Sequence, residues 1–556
     1  MGTQAQAAQF AHITSQRCKH NVIRRARMTT RTITDVGGTL EGDINLRHVP
    51  TGLWLAASAI GVLPFVFGPV PALAGVAANP QMNATNACSA RVRLIERSAA
   101  LTASTVLIQS PRLRTPQFCK TSGKVWPNIT FSMLSPTDNW NGKFVELGNF
   151  GAGGIVSEWR CNQYLRRGFA CTVFDGGHKG TGFSWARNNV RAQVTYAVFA
   201  PHLVRDASID LLSKIYSKTP ALSYFIGCST GGFEGLSEAQ RYPNDFNGIV
   251  AGAPEIDEFD LASRWRWSAE RLHSIAGLKE KLSLVHRFVL QECSSSDQSP
   301  IVDRPLGCTA NLELLNCDRH PSSGCLTRRD ISTINELYQG PEFGPTSRYP
   351  DILPGSELLW TDEDIGFAAS SGWATDLFRN VSLPQGNPAE RSSFTYASAP
   401  LFIASNPDLS AFAKANGKLL IYQGAYDIVE RPGRILDYYR SVVEMSRSKG
   451  VTDTFVRMFL VPGMEHCAGG PGSWAVDYLK VLDDWKTSNS PPEYLSAHNI
   501  PARYLDQLSV DWNDIGIMRP GDLSEIEKRR IRSLYVEFPL APEAAKDPAQ
   551  RIFRIY

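Results

Sequence analysis

The chain has 556 residues, 43% of them hydrophobic and 20% charged, with a formal net charge of +3. That length allows one large α/β domain with an insertion, or two or three ordinary domains. The composition is that of a soluble globular protein, and near-neutrality at this size leaves no basis for a nucleic-acid or acidic-membrane partner.

The positive charge gathers at the start, in Arg17, Lys19, Arg24, Arg25, Arg27, Arg31 and Arg47. An apolar run follows, Leu53 to Ala78, broken by Pro64, Pro69 and Pro71 and ending in Ala72-Leu73-Ala74 and Val76-Ala77-Ala78. Basic, apolar and then small residues read as a secretory signal peptide, with an uncleaved anchor as the alternative. Residues 1–78 are therefore assigned to a leader, and no later stretch is apolar enough to span a bilayer. The expected location is secreted or periplasmic. Ten of the eleven cysteines follow the leader, and an even count in an exported chain reads as disulfides. No CxxC pair or His/Cys cluster has zinc spacing.

Lys143 to Leu147 reads as a strand running into the glycine-rich loop Gly148 to Gly154. The loop lacks the Lys-Ser/Thr ending of a phosphate loop, but its backbone can approach a ligand closely. Gly168 to Asp175 is a buried strand by its continuous apolar run. Val194 to Tyr216 has helical periodicity. Tyr224-Phe225-Ile226-Gly227-Cys228-Ser229-Thr230-Gly231-Gly232 then gives a strand, a Gly-x-Ser-x-Gly turn and, from Phe233 to Arg241, a helix. This is the pattern of a nucleophile elbow, although Gly-x-Ser-x-Gly alone also describes an ordinary turn. Phe246 to Pro254 is the next strand and its exit loop.

Alternation is lost between about Glu255 and Pro407, where aromatic residues increase and four cysteines cluster between 293 and 325. The stretch reads as an inserted lid. The sheet resumes at Lys418 to Tyr422 and Phe455 to Val461. Trp474 to Trp485 reads as an amphipathic helix, and the last 60 residues as polar and irregular. Strands alternating with helices imply a largely parallel sheet. The expected architecture is an α/β-hydrolase in two parts, 79–256 and 405–556, around a lid at 257–404.

A nucleophilic Ser229 needs a base and an acid to orient it, in the chain order serine, acid, histidine. Among the histidines after the elbow, His466 alone closely follows a clear strand. Asp427 follows the strand Lys418 to Tyr422. A loop histidine or a post-strand aspartate is commonplace singly; three such residues in order after three strands is a sharper coincidence. Cys228 precedes Ser229 and Cys467 follows His466. If serine and histidine meet, these cysteines are neighbours, and a disulfide there would pin nucleophile to base; two buried free thiols are the alternative.

Residues 227–232, Glu238 to Ile249, Ala251 to Pro254 and Val461 to Gly472 resemble the tannase and feruloyl esterase family, which includes MHET-hydrolase-like members. The resemblance covers about residues 88–500. It implies Ser229 as nucleophile, His466 as base, Asp427 as acid, and Thr230 with Gly151 as oxyanion-hole donors. It implies a Cys228–Cys467 bond, suggests lid bonds Cys293–Cys308 and Cys317–Cys325, and offers Cys88–Cys119; Cys161 and Cys171 stay unassigned. Trp373, Phe378 and Arg379 become acyl-pocket candidates, or equally lid core or surface. The implied substrate is a small aromatic ester of the gallate or hydroxycinnamate kind. Lids of this family commonly bind calcium, but here only Asp297 and Asp303 remain as weak candidates where calcium needs several oxygen ligands, so a structural calcium site is expected to be lost or weak, and no other cofactor is expected. The acid loop of the family has tryptophan before Ala-Asp; here it reads Ala425-Tyr426-Asp427, a departure that bears on packing more than on chemistry. A serine peptidase, an acyltransferase and a non-catalytic binding protein remain the alternatives.

Overall fold

The computed structural model describes Cys88, 101–108, 115–499 apart from 183, 187–188, 297–298, 320, 322–323, 343–346 and 361–398, and the backbone of 536–539. Nine strands form one sheet: β1 (Leu101–Ile108), β2 (Phe118–Val125), β3 (Ile129–Pro136), β4 (Lys143–Leu147), β5 (Ala170–Phe174), β6 (Leu222–Cys228), β7 (Gly248–Gly252), β8 (Lys418–Gly424) and β9 (Val456–Val461). Their order is β1-β2-β3-β5-β4-β6-β7-β8-β9. The first four neighbours pair antiparallel, and everything from β5 to β9 pairs parallel. The chain crosses from β5 past β4 to β6, so the sheet reverses its winding beside the elbow strand. Such a switch point opens a crevice at the strands' C-terminal ends.

Both faces of the parallel strands are covered, which is why these segments read as unbroken apolar runs rather than alternating ones. One face carries Phe225, Ile249, Ala251, Leu419 and Ile421, packed against Val204, Leu211, Leu236, Leu436 and Tyr439 of the helices Ala200–Tyr216, Thr230–Arg241 and Pro432–Ser448. The other carries Tyr224, Val250, Leu420 and Tyr422, packed against Tyr164, Leu165, Leu479, Leu482 and Trp485.

Between β7 and β8 the chain leaves the sheet. Asp257 and Ile403 form an antiparallel bridge, and Ala404 N–H donates to the Ile256 carbonyl at 2.9 Å. The two ends of the excursion therefore meet. Strand and helix do not alternate in the excursion, and its described residues hold helices alone as regular structure. Helices Glu258–Leu272, Leu278–Cys293 and Arg328–Gln339 enclose their own core of Leu272, Val285, Val289, Ile334, Leu337 and Trp360.

Several elements differ from their sequence reading. The helix expected over Trp474 to Trp485 runs from Tyr478 to Ser488. Ala475 is instead paired with His498 in both directions, and the Asp477 carboxylate caps Lys480 N–H at 2.9 Å. The helical run before the elbow begins at Val190 and widens over Thr195–Phe199, just before Pro201, which has no N–H to give the preceding turn. The C-terminal region contains a pair of antiparallel strands, β10 (Tyr494–Ala497) and β11 (Val536–Pro539).

Candidate active site

Missing side chains make the elbow possible. Cys228 ends β6, and the following helix starts at Thr230. Ser229 between them is held at φ 60° and ψ −125°. Such a conformation costs a non-glycine residue on the order of 1–3 kcal/mol and persists only where its surroundings enforce it. Ser229 N–H donates to the Gly252 carbonyl at 3.0 Å, and its carbonyl accepts from Phe233 at 3.0 Å. A Cβ on Gly227 would lie 2.3 Å from the Gly231 carbonyl oxygen. A Cβ on Gly231 would lie 2.6 Å from the Asn149 carbonyl oxygen. Strand, helix and glycine-rich loop are thus in backbone contact at the elbow. Gly227→Ala is expected to destabilise by about 1–3 kcal/mol, the usual cost of forcing atoms into a packed site. A urea titration reads this as a lower midpoint at unchanged slope, and a midpoint equal to the wild type would refute it.

The glycine-rich loop is fastened at both ends. Glu234, on the sheet side of the elbow helix, accepts Asn149 N–H at 2.7 Å and Asn149 Nδ2 at 2.8 Å. Burial pushes Glu234 up to about 7, against the opposing hydrogen bonds of Asn149 and the charge of Arg160. Arg160 Nη1 donates to the Gly148 carbonyl at 2.7 Å. Gly151 sits at φ 52°, and its carbonyl accepts the Thr230 hydroxyl at 2.8 Å and the Tyr196 hydroxyl at 2.9 Å. Thr230 opens the elbow helix, so its N–H is one of those a helix leaves without an internal acceptor. The two residues expected as oxyanion donors are therefore hydrogen-bonded to each other beside Ser229.

Asp427 is buried and its carboxylate is fully occupied. Oδ1 accepts Val429 and Glu430 N–H, both at 2.9 Å. Oδ2 accepts Gln423 Nε2 at 3.0 Å and is 2.9 Å from His466 Nδ1. His466 lies in a loop whose ends are held together by Gly472 N–H to the Gly463 carbonyl at 3.0 Å. Cys467, next to it, is at φ 62° and is bonded to Cys228, with a Cα–Cα distance of 5.9 Å. The disulfide therefore joins the residue before Ser229 to the residue after His466.

Among the described residues there are five disulfides: Cys88–Cys119, Cys161–Cys171, Cys228–Cys467, Cys293–Cys308 and Cys317–Cys325. Cys161 and Cys171, which the sequence left unassigned, are partners. Trp373, Phe378, Arg379 and Asp297 lie outside the described residues. Asp303 Oδ2 accepts Ser295 N–H at 2.7 Å. It is the one carboxylate among the described residues of 294–303.

Sequence reasoning missed Glu234, Gln423, Glu255 and Glu430. For Gln423 and Glu234 the signal was a polar side chain inside an otherwise apolar strand or among the small residues of the elbow helix, where it must find a partner; Glu255 and Glu430 lie in the loops after β7 and β8 and carried no such signal. It also gave Tyr426 no task. The Tyr426 hydroxyl accepts Val302 N–H from the insertion at 2.9 Å. Trp265 Nε1 donates to the Val429 carbonyl at 2.9 Å, and Arg431 Nη2 to Ser268 Oγ at 3.0 Å. The insertion thus grips the acid loop on both sides of Asp427.

A profile of the family described as tannase and feruloyl esterase matches residues 113–377 and 375–542. The chain belongs to the tannase and feruloyl esterase family. Membership makes it an ester hydrolase. A probable feruloyl esterase B-1 of Aspergillus flavus is 30% identical over 385 residues, covering 65% of this chain and 72% of that relative. Feruloyl esterase B of Aspergillus niger is 27% identical over 401 residues, covering 66% and 75%. In fold, the chain is similar to the crystal structure of feruloyl esterase B from Aspergillus oryzae, with TM-score 0.62 at 24% identity over 76% of this chain and 93% of the other. It is also similar to tannin acyl hydrolase from Aspergillus niger, with TM-score 0.55 at 18% identity over 72% and 84%. These likenesses bear out the α/β fold expected from strand and helix alternation.

Proposed function

We propose that this family member is a serine esterase acting on aromatic carboxylic esters of the hydroxycinnamate or gallate kind, with Ser229, His466 and Asp427 as its triad. One observation carries the reading. His466 is hydrogen-bonded to a buried aspartate and is covalently tied, through its neighbour Cys467, to the residue preceding a strained elbow serine. The aromatic acyl group follows from what the relatives are called.

In this mechanism Ser229 Oγ attacks the ester carbonyl carbon while its proton passes to His466 Nε2. The oxyanion accepts from Thr230 and Gly151 N–H, each donor typically worth about 3 kcal/mol in the transition state. Collapse breaks the bond to the alkoxy oxygen, which leaves as the alcohol with the proton from His466. Water then attacks the acyl-enzyme by the same route, releasing the carboxylic acid and restoring Ser229. The disulfides and the signal-like leader favour an oxidising location outside the cytoplasm, secreted or periplasmic.

Asp427→Asn is expected to lower kcat by about 10⁴-fold, the scale of the same change in a serine protease triad. The cause is local. Val429 and Glu430 N–H both need an acceptor, so the asparagine oxygen must keep the Oδ1 place. Its NH₂ then faces His466 Nδ1 and donates to it, which puts the ring proton on Nε2, where the serine proton has to go. Steady-state kinetics on methyl ferulate, methyl gallate and mono-hydroxyethyl terephthalate measure this effect and rank the acyl groups. Failure of all three esters, together with no labelling of Ser229 by a fluorophosphonate, would reject the reading.

A further inference from the structure

A buried tyrosine that the mechanism does not use reaches the loop of the second oxyanion donor. Tyr196 is 3% exposed and belongs to the widened turn Thr195–Phe199. Single widened turns inside helices occur frequently at functional sites. The Tyr196 hydroxyl donates to the Gly151 carbonyl at 2.9 Å, and the Thr230 hydroxyl donates to the same oxygen at 2.8 Å. A carbonyl oxygen has two lone pairs, so both are taken.

The ring has a built place. A Cβ on Gly176 would lie 2.9 Å from Tyr196 Cδ2, and one on Gly153 would lie 3.2 Å from Cε2. Tyr196 is therefore wedged between the loop that follows β5 and the glycine-rich loop, where only glycines leave it room. Trp185 meets it at 5.0 Å between ring centres, and His178, stacked on Trp185 at 4.1 Å, meets it edge-on at 5.6 Å. Burial pushes His178 down to about 4, so this backing carries no charge at neutral pH. Burial first, then Glu234 and Glu255, push the Tyr196 hydroxyl up, so it remains a phenol with a proton to give.

What this hold does follows from the turn. Gly151 sits at φ 52° in a turn closed by Gly153 N–H to the Phe150 carbonyl at 3.1 Å. Glycine has no Cβ to resist rotation. A planar trans peptide points its N–H away from its carbonyl, so the direction of Gly151 N–H follows from the Phe150 carbonyl. The bond on that carbonyl lasts only while the next peptide, which carries the Gly151 carbonyl, keeps its plane. We propose that Tyr196 is a positioning residue for the oxyanion hole: its hydroxyl, with that of Thr230, holds the Gly151 carbonyl and so keeps Gly151 N–H aimed at the developing oxyanion. Tyr196 touches no reacting atom. Two donors on one oxygen also give redundancy, since either alone still holds the peptide and only the loss of both releases it.

This role rests on the esterase reading, and the test separates the two. Wild type, Tyr196→Phe, Thr230→Val and the double variant are compared for kcat and KM on whichever of the three esters the wild type hydrolyses fastest. Each is also inhibited with an aryl boronic acid, whose tetrahedral adduct on a serine hydroxyl mimics the oxyanion intermediate, and with the carboxylic acid product. Each single variant is expected to lower kcat about threefold at unchanged KM. The double variant is expected to lower it about 10²-fold, the low end of what an oxyanion donor is worth, against about ninefold if the two hydroxyls acted independently. Boronic acid inhibition should weaken by the same factors, while binding of the acid product stays within about twofold of the wild type. Tyr196 has no such role if Tyr196→Phe leaves kcat unchanged, if the double variant loses no more than about ninefold, or if boronic acid and product weaken alike, as a general loosening of the pocket would make them do. Should the double variant fail to fold, the comparison of boronic acid with product in Tyr196→Phe decides alone. A wild type that hydrolyses none of the esters and is not labelled at Ser229 by a fluorophosphonate sinks the esterase reading, whereas an active wild type with the wrong variant pattern sinks only the role of Tyr196.

Discussion

Ser229→Ala is expected to lower kcat/KM for an aromatic ester on the order of 10⁵-fold, close to the loss seen when a serine hydrolase loses its nucleophile. The hydroxyl makes the covalent bond, and alanine supplies no atom that can. The elbow should survive the change, because its geometry rests on Gly227, Gly231 and the Ser229 backbone bonds to Gly252 and Phe233 rather than on the side chain. Alanine also tolerates the positive φ no worse than serine does. Thermal unfolding should therefore be near that of the wild type while acylation disappears. Burst kinetics with a chromogenic ester would show this as a missing acyl-enzyme phase. A variant retaining more than about a hundredth of wild-type kcat/KM would remove Ser229 from the chemistry.

The second large effect is expected from opening the bond between Cys228 and Cys467. The two residues are 239 apart in sequence, and closing a loop of that length removes about 5 kcal/mol of unfolded-state entropy in the chain-entropy estimate. The double variant Cys228→Ser/Cys467→Ser should unfold at clearly lower temperature. It should also lose kcat, because Cys467 is held at φ 62° and His466 directly precedes it. A displacement of about 1 Å in a catalytic group costs roughly 10²-fold. Scanning calorimetry and steady-state kinetics, both without reductant, measure the two consequences. If melting temperature and kcat both stay at wild-type values, the bond is dispensable and does not couple the serine elbow to the histidine loop.

The parallel half of the fold was legible because its strands are buried on both faces. Lys143 to Leu147 and Phe455 to Val461 read as strands from apolar content alone, and they are β4 and, from Val456, β9. The antiparallel strands at the start were not legible in the same way. β2 is Phe-Cys-Lys-Thr-Ser-Gly-Lys-Val, with no clean alternation, and its partners β1 and β3 define it as a strand. The insertion hid its helices for a related reason. They bury narrow stripes against one another, such as Val285 and Val289 against Ile334 and Leu337, while much of each remains polar. At the site, Ser229, Asp427 and His466 were legible because each follows a strand. The groups that hold them were not. Gln423 sits in a strand otherwise apolar from Leu419 to Tyr422, and Glu234 among small residues of the elbow helix. Both bind partners far away in sequence or across a turn, which periodicity does not report. Tyr426 read as a matter of packing, and its bond to Val302 is visible only in three dimensions.

The grip of the insertion on the acid loop bears on how such enzymes diversify. Val302, Trp265 and Ser268 all belong to the excursion between β7 and β8, and their partners Tyr426, Val429 and Arg431 all flank Asp427. The excursion is therefore not an interchangeable cassette. Transplanting it between relatives without residues 426–431 would leave the orienting carboxylate in a loop built for another neighbour. A change in the insertion at these three contacts is therefore also a change in the support of the loop that carries Asp427.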